Sequence, residues 1–192
     1  MKNGTVNIAQ SEKILVTAFE CISSKGYANV SMRDIANEAG VALSQLNYYY
    51  RNKEGLLTEV IKMMMDKYLL EIEKHLIKGT TAREKISFLI SFFKKILANN
   101  PGLFRLLYDF CGMALWSSTF STLLRELFSE IANLIGKYIL SSSDAKEISS
   151  RYSVNSIARM IIGAMFGISM QTILDPKEEN LDSLSAIELI LE

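Results

Sequence analysis

Apolar residues recur along most of this chain at spacings of three and four. No stretch alternates at period two, and valine is scarce. That pattern predicts helices throughout and no sheet. Helix 1 is expected over about 7–24, with Ile14, Leu15, Ala18, Cys21 and Ile22 on one face and residues 1–6 frayed. Helix 2 starts after Ser31, where Asp34 completes a short-acid capping box and Val30 and Ile35 form a hydrophobic staple. It ends at Gly40, a residue that adopts left-handed backbone without a Cβ clash. Helix 3 covers about 42–50, with Leu46 and Tyr50 turned inward. Helix 4 runs from an Asn52 cap to about Lys78, roughly 38 Å at 1.5 Å per residue, long enough to belong to two modules and act as a lever between them.

Thr81 and Glu84 predict a second capping box, opening helix 5 (about 82–98). Pro101 suits the first position of helix 6 (about 101–110). Residues 111–118 read as a helix extension or an irregular joint holding Trp116. Helix 7 is expected over about 119–140. Helix 8, over 144–174, is apolar nearly all round from Ile157, which implies one face against its own core and one against a second copy. Pro176 opens an acidic loop, and helix 9 spans about 183–191.

The stretch 30–53, VSMRDIANEAGVALSQLNYYYRNK, sets the functional expectation. Two short helices meet at a tight glycine turn, and the second shows Leu43, Ser44, Gln45, Asn47 and Tyr48 on its outer side. Gln and Asn can bond an adenine edge twice, and apolar groups can meet a thymine methyl. A second helix of this kind enters the DNA major groove in a helix-turn-helix. On pattern alone, a protein-interaction module stays open beside DNA binding.

Over roughly residues 8–57 the chain resembles the DNA-binding domain of the TetR family of transcriptional repressors. The shared features are the capped helix ending in Ala39-Gly40-Val41, then Leu46, the run Tyr48-Tyr49-Tyr50, and Lys53. Two positions depart from the family pattern: Ala42 stands where Ser or Thr is usual, leaving helix 3 without a side-chain cap, and Asn47 replaces a usual Tyr. Both departures bear on the operator read, not on the fold.

The resemblance implies an all-α protein with a helix-turn-helix domain over 1–55 and an effector-binding and dimerisation domain over 56–192. It implies a cytoplasmic homodimer joined through helices 8 and 9, with its recognition helices about one DNA turn, roughly 34 Å, apart on a near-palindromic operator. A small apolar or amphipathic effector would release it from double-stranded DNA. Leu43, Ser44, Gln45, Asn47 and Tyr48 are then the base-reading candidates, Tyr48 alternatively packing on sugar, and Ser31, Arg33, Tyr49 and Lys53 the backbone contacts, Arg33 alternatively reaching a base. Lys25 reads as an exposed loop lysine, with a phosphate contact as the alternative. A cavity among helices 4 to 8 would draw on Met64, Phe93, Phe104, Tyr108, Trp116, Phe120, Met165 and Phe166, since Met and aromatics suit an irregular lipophilic pocket. Arg105, Tyr108, Asp109, Asn155 and Gln171 are its candidate polar contacts.

Composition changes this picture little. The 192 residues are 49% apolar with zero net charge, but residues 1–100 carry 14 Lys and Arg against 10 acids, and the remainder 7 against 11. The front half therefore suits a polyanion better. Cys21 and Cys111 fit no metal or redox spacing and read as reduced thiols. No secretory signal is visible at the start, and the apolar run Met160–Leu174 is short for a membrane span. With one histidine, His75, no nucleotide loop and no Gly-rich fingerprint, the sequence points to no metal, no cofactor and no enzyme. The competing reading is an all-helical carrier of hydrophobic ligands whose front helices do not bind DNA.

Overall fold

Ser31 and Asp34 close the expected capping box: the Ser31 hydroxyl accepts from the Asp34 amide, and the Asp34 carboxylate accepts from the Ser31 N–H at 2.8 Å. Thr81 and Glu84 do the same three helices on. In the computed structural model, which describes residues 2–145 and 150–191, the described chain is helical and contains no strand. The elements are α1 (Lys2–Lys25), α2 (Met32–Ala39), α3 (Leu43–Tyr50), α4 (Lys53–Lys78), α5 (Ala82–Asn99), α6 (Pro101–Ala114), α7 (Ser118–Ile135), α8 (Val154–Leu174) and α9 (Glu178–Asp182). A 3₁₀ segment, Ser183–Leu191, follows α9.

Several boundaries differ from the expectation, each for a local reason. Residues 2–6 are helical rather than frayed: α1 begins at Lys2, because a nucleated helix extends through backbone bonds without an apolar face, and residue 1 lies outside the described residues. The doubtful joint at 111–118 resolves as a helix extension to Ala114 followed by a short turn. Helix 7 ends in a π-turn over Gly136–Leu140, where the Ser141 N–H bonds the Gly136 carbonyl five residues back. Helix 8 is not continuous from 144. Ser153, with extended backbone, accepts from the Ser156 N–H and starts α8 afresh. Residues 146–149 of that expected helix lie outside the described residues. The acidic stretch after Pro176 is α9 rather than a loop.

Two clusters of buried side chains make the core. The first joins α1, α2, α3 and the front half of α4 to Leu106, Phe110 and Ala114 of α6 and Phe120 and Leu123 of α7. The second joins Leu76, α5, Phe104, the end of α7, α8 and the 3₁₀ segment. Phe110 is wholly buried, so α6 is anchored in the front cluster by a side chain whose burial contributes about 1.5–3 kcal/mol. By length and composition the 21-residue α8 could cross a membrane. Here Ile157, Ala158, Ile161, Ile162, Met165 and Ser169 are packed inside the protein.

Candidate functional site

The turn between α2 and α3 is built as the sequence demands. Gly40 takes φ 68°, and its N–H bonds back to the last turn of α2. Leu46 and Tyr50 anchor α3 from below: Leu46 is fully buried, and the Tyr50 hydroxyl donates to the Ser11 carbonyl of α1 at 3.1 Å. With those positions inside, Ser44, Asn47 and Tyr48 stand outside, and Tyr48 is 83% exposed. Positions 44, 47 and 48 follow the i, i+3, i+4 rule, so they form one outward face of α3. Arg51, the residue that caps the C-terminal end of α3, is also exposed. Ala42 supplies no side-chain cap, leaving the first amides of α3 open.

Not every candidate stands on that face. Gln45 is half-buried, and its amide donates to Gln10 Oε1 of α1 at 3.0 Å. Leu43 and Tyr49 are half-buried and pack against the front core. The Ser31 hydroxyl is engaged in the capping box, donating to Asp34 at 2.6 Å, while Arg33 is exposed beside it. Lys53 does not point freely into solvent. Its ammonium donates to the Tyr27 carbonyl and sits 4.1 Å from the centre of the Tyr27 ring. Burial holds the Lys53 ammonium below its ordinary pKa. Arg51, exposed at the C-terminal end of α3, was not singled out by the sequence reading.

Arg51 also carries strain. Its φ of 59° and ψ of −52°, with the Asn52 N–H bonded to the Tyr50 carbonyl at 2.6 Å, make a γ-turn of the rare hand. This turn redirects the chain from α3 into α4, whose cap is the Asn52 side chain accepting from Gly55. A Cβ on Gly55 would lie 2.4 Å from the Tyr50 carbonyl, so the junction requires glycine.

Behind this module lies a cavity of about 120 Å³, walled by α4, α5, α6, α7 and α8. Met64, Phe93, Phe104, Met165 and Phe166 line it, as the sequence reading expected. Three expected members do not. Trp116 is 91% exposed, because α6 ends at Ala114 and leaves it on the surface turn. Phe120 is buried in the front cluster edge-on to Phe110. Tyr108 faces away, its hydroxyl donating to the Phe166 carbonyl at 2.7 Å; burial raises its pKa. Tyr68, Phe92 and Leu107 line the cavity and were not singled out, although each sits at core spacing on its helix. Tyr68 carries the one side-chain polar atom of the lining. The polar candidates Arg105, Asp109, Asn155 and Gln171 are all exposed and outside it.

Two other groups are accounted for by packing. His75 stacks on Phe92 with ring centres 4.2 Å apart, while Nδ1 meets the Glu71 carbonyl. Both cysteines are free thiols, and burial pushes Cys111 up to about 11.

A capped two-helix turn presenting one polar stripe is the reading head of a helix-turn-helix DNA-binding protein. Residues 14–60 match the family model described as bacterial regulatory proteins, tetR family. It is 32% identical over 91 residues to the fatty acid metabolism regulator protein of Bacillus subtilis, an alignment covering 47% of each chain. The match thus spans about half the length of that relative. It is 21% identical over 187 residues to an HTH-type regulator of Xanthobacter autotrophicus, covering 96% of this chain and 89% of the other. Among solved structures, a TetR regulator from Haloarcula marismortui superposes with a TM-score of 0.83 at 17% identity, covering 95% and 96% of the two chains. The regulator FadR from Bacillus subtilis, in complex with stearoyl-CoA, superposes at 0.76 with 22% identity, covering 94% and 96%.

Proposed function

We propose that this protein is a homodimeric, ligand-responsive transcriptional repressor that leaves a near-palindromic operator when a long-chain acyl thioester binds. The observation that carries the DNA-binding part is the outward stripe Ser44, Asn47 and Tyr48, with exposed Arg51 just past its end, on a helix whose opposite side is locked into the core. Ser44, Asn47 and Tyr48 read bases; Arg33, Arg51 and the module's open amides hold phosphates. Gln45 and Lys53 join them after releasing Gln10 and Tyr27. A carrier with a decorative front end is disfavoured, because it has no use for this exposed stripe.

The effector reading rests on the cavity, on the similarity to a fatty acid metabolism regulator and on the likeness to a FadR structure that holds stearoyl-CoA. A lining with a single hydroxyl suits a hydrocarbon chain. Its volume is well below the ~300–1,000 Å³ typical of small-molecule sites. A ligand therefore has to move the surrounding helices, α4 among them, and α4 begins at the reading head. The effector must bind that displaced state better than the DNA-bound one. A tenfold loss of operator affinity needs about 1.4 kcal/mol of such coupling.

Dimerisation is assigned to α8 together with the C-terminal segment. Met160, Gly163, Gly167 and Leu174 form an exposed stripe along α8. Of the terminal segment, Leu184 and Ile187 are buried in the protomer while Leu189 stays outside. The place of action is the cytoplasm, where the operator is, and no reaction is assigned to the chain.

A gel shift with the DNA flanking its own coding region, at two salt concentrations, tests this reading. A salt-dependent shifted band that stearoyl-CoA dissolves is the expected result. Absence of any shift at low salt removes DNA binding; a shift indifferent to stearoyl-CoA removes the effector.

A further inference from the structure

A groove of about 370 Å³, separate from the apolar cavity, lies where the end of α1, the outer face of α6 and the end of α8 meet. Lys25 and Arg105 bring two cations to it, Asp109 one carboxylate, and Met170 and Ile173 apolar surface. Arg105 is exposed and makes no hydrogen bond or ion pair with a described residue. The wall between groove and cavity is one ring pair thick. Tyr108 lines the groove, Phe166 lines the cavity, and their rings meet edge to face at 6.2 Å.

We infer that this groove holds the phosphate-bearing head of an acyl thioester whose hydrocarbon tail fills the cavity, with Arg105 and Lys25 on the phosphates. The inference deepens the acyl-thioester reading given above and rests on it. A head with several negative charges cannot enter a cavity lined by hydrocarbon, where burying an unpaired charge is prohibitive. It has to emerge, and the groove places two cations within one side-chain layer of the cavity wall. Cationic side chains form short, charge-assisted bonds to phosphate oxygens, and the arginine fork does so in pairs. Met170 and Ile173 offer surface for the uncharged linker of the head.

Asp109 and the carbonyl end of α1 oppose an anion, and that opposition is informative. The Asp109 carboxylate accepts from the Tyr27 N–H at 3.0 Å, a bond that ties α6 to the DNA-binding module. Tyr27 in turn accepts from Lys53, the first residue of α4. A phosphate arriving beside Asp109 repels it, and the repulsion falls on this tie. The head group thereby gains a differential interaction with the two states, which a free fatty acid lacks.

Calorimetric titration of the full chain with stearoyl-CoA, stearate and coenzyme A tests this. The proteins are the wild type, Arg105→Ala, Arg105→Lys and Arg105→Ala with Lys25→Ala, each checked for folding by circular dichroism. The expected result is an affinity for stearoyl-CoA about tenfold weaker in Arg105→Ala, weaker again in the double variant, and largely restored in Arg105→Lys. Stearate binding stays within twofold, and added salt weakens stearoyl-CoA and coenzyme A more than stearate. Equal stearoyl-CoA affinity in all four proteins overturns the groove assignment and leaves the acyl-thioester reading standing. Parallel loss of stearate and stearoyl-CoA shows damage to the fold and also overturns it. A wild type that binds none of the three probes removes both readings.

Discussion

Asn47 and Lys53 are six residues apart in sequence and differ in what holds them. Asn47 is exposed, with the core packing falling to its neighbours Leu46 and Tyr50. Asn47→Ala is expected to cost about 1–3 kcal/mol at one base position while leaving random-sequence DNA untouched. Competition gel shifts with single-base operator variants read this; equal losses on operator and random DNA would refute the assignment. Lys53 is tied to Tyr27, so Lys53→Ala is expected to weaken all DNA sequences alike, flatten the salt slope by about one, and lower the melting temperature slightly. Asp34 provides a pH signature. The Ser31 hydroxyl and then the Ser31 N–H hold its carboxylate below the ordinary value. A depressed native pKa contributes stability that is complete above the unfolded value and is lost as pH falls through the native one. Melting curves of the wild type should therefore decline on acidification below the ordinary carboxylate range. Asp34→Asn, which can still accept both bonds, should show a shallower decline.

At the scale of the element, α6 is the helix whose two faces serve two modules. Leu103, Leu106, Leu107 and Phe110 face the cavity, while Gly102, Arg105 and Asp109 face the end of α1 or the groove beside it. Those sets follow helical spacing on separate sides of one cylinder. Gly102 sets the approach: a Cβ there would lie 3.0 Å from the Ser23 carbonyl and 3.2 Å from the Ser23 Cβ. Gly102→Val should push the two helices apart and destabilise the fold by about 1–3 kcal/mol. Denaturant melts would show this as a lower midpoint. An unchanged midpoint would mean that α1 and α6 separate freely and that Gly102 sets no limit on their approach. The long α4 is the second such element, since it contributes Leu57 and Val60 to the front cluster and Leu76 to the rear one.

For the whole molecule, the two clusters share α4, α6 and α7, so cavity and reading head are parts of one packed body. Densely packed interiors transmit displacement rather than absorb it. On the proposed reading, symmetry supplies the rest of the function, because a palindromic site needs two heads at a fixed separation. A Cβ on Gly163 or Gly167 meets nothing within 4 Å in the protomer. Gly163→Arg should therefore leave the protomer folded but place a charge on the face proposed to meet a second copy. Sedimentation at micromolar concentration is expected to show a dimer for the wild type and a folded monomer for the variant, with operator affinity at least tenfold lower. A variant that stays dimeric would move the interface away from α8.

The amino-acid sequence by itself determined the elements whose cause is local. Ser31, Asp34, Gly40, Asn52, Thr81 and Glu84 act within a turn of themselves, so both capping boxes, the left-handed glycine and the start of α4 were legible, as was the inward placement of Leu46 and Tyr50. Only the tertiary structure decided what depends on contacts between residues far apart in the chain. Apolar spacing marks Phe104 and Phe120 equally as inward, yet one lines the cavity and the other packs on Phe110. Polar side chains at the surface of their own helices were taken up by others: Gln45 by Gln10, Lys53 by Tyr27, Asp109 by the Tyr27 amide. Periodicity reports which side of a helix is apolar. Which neighbour meets that side is settled by how the helices pack together, and the cavity, the groove and the tie between the modules all follow from that packing.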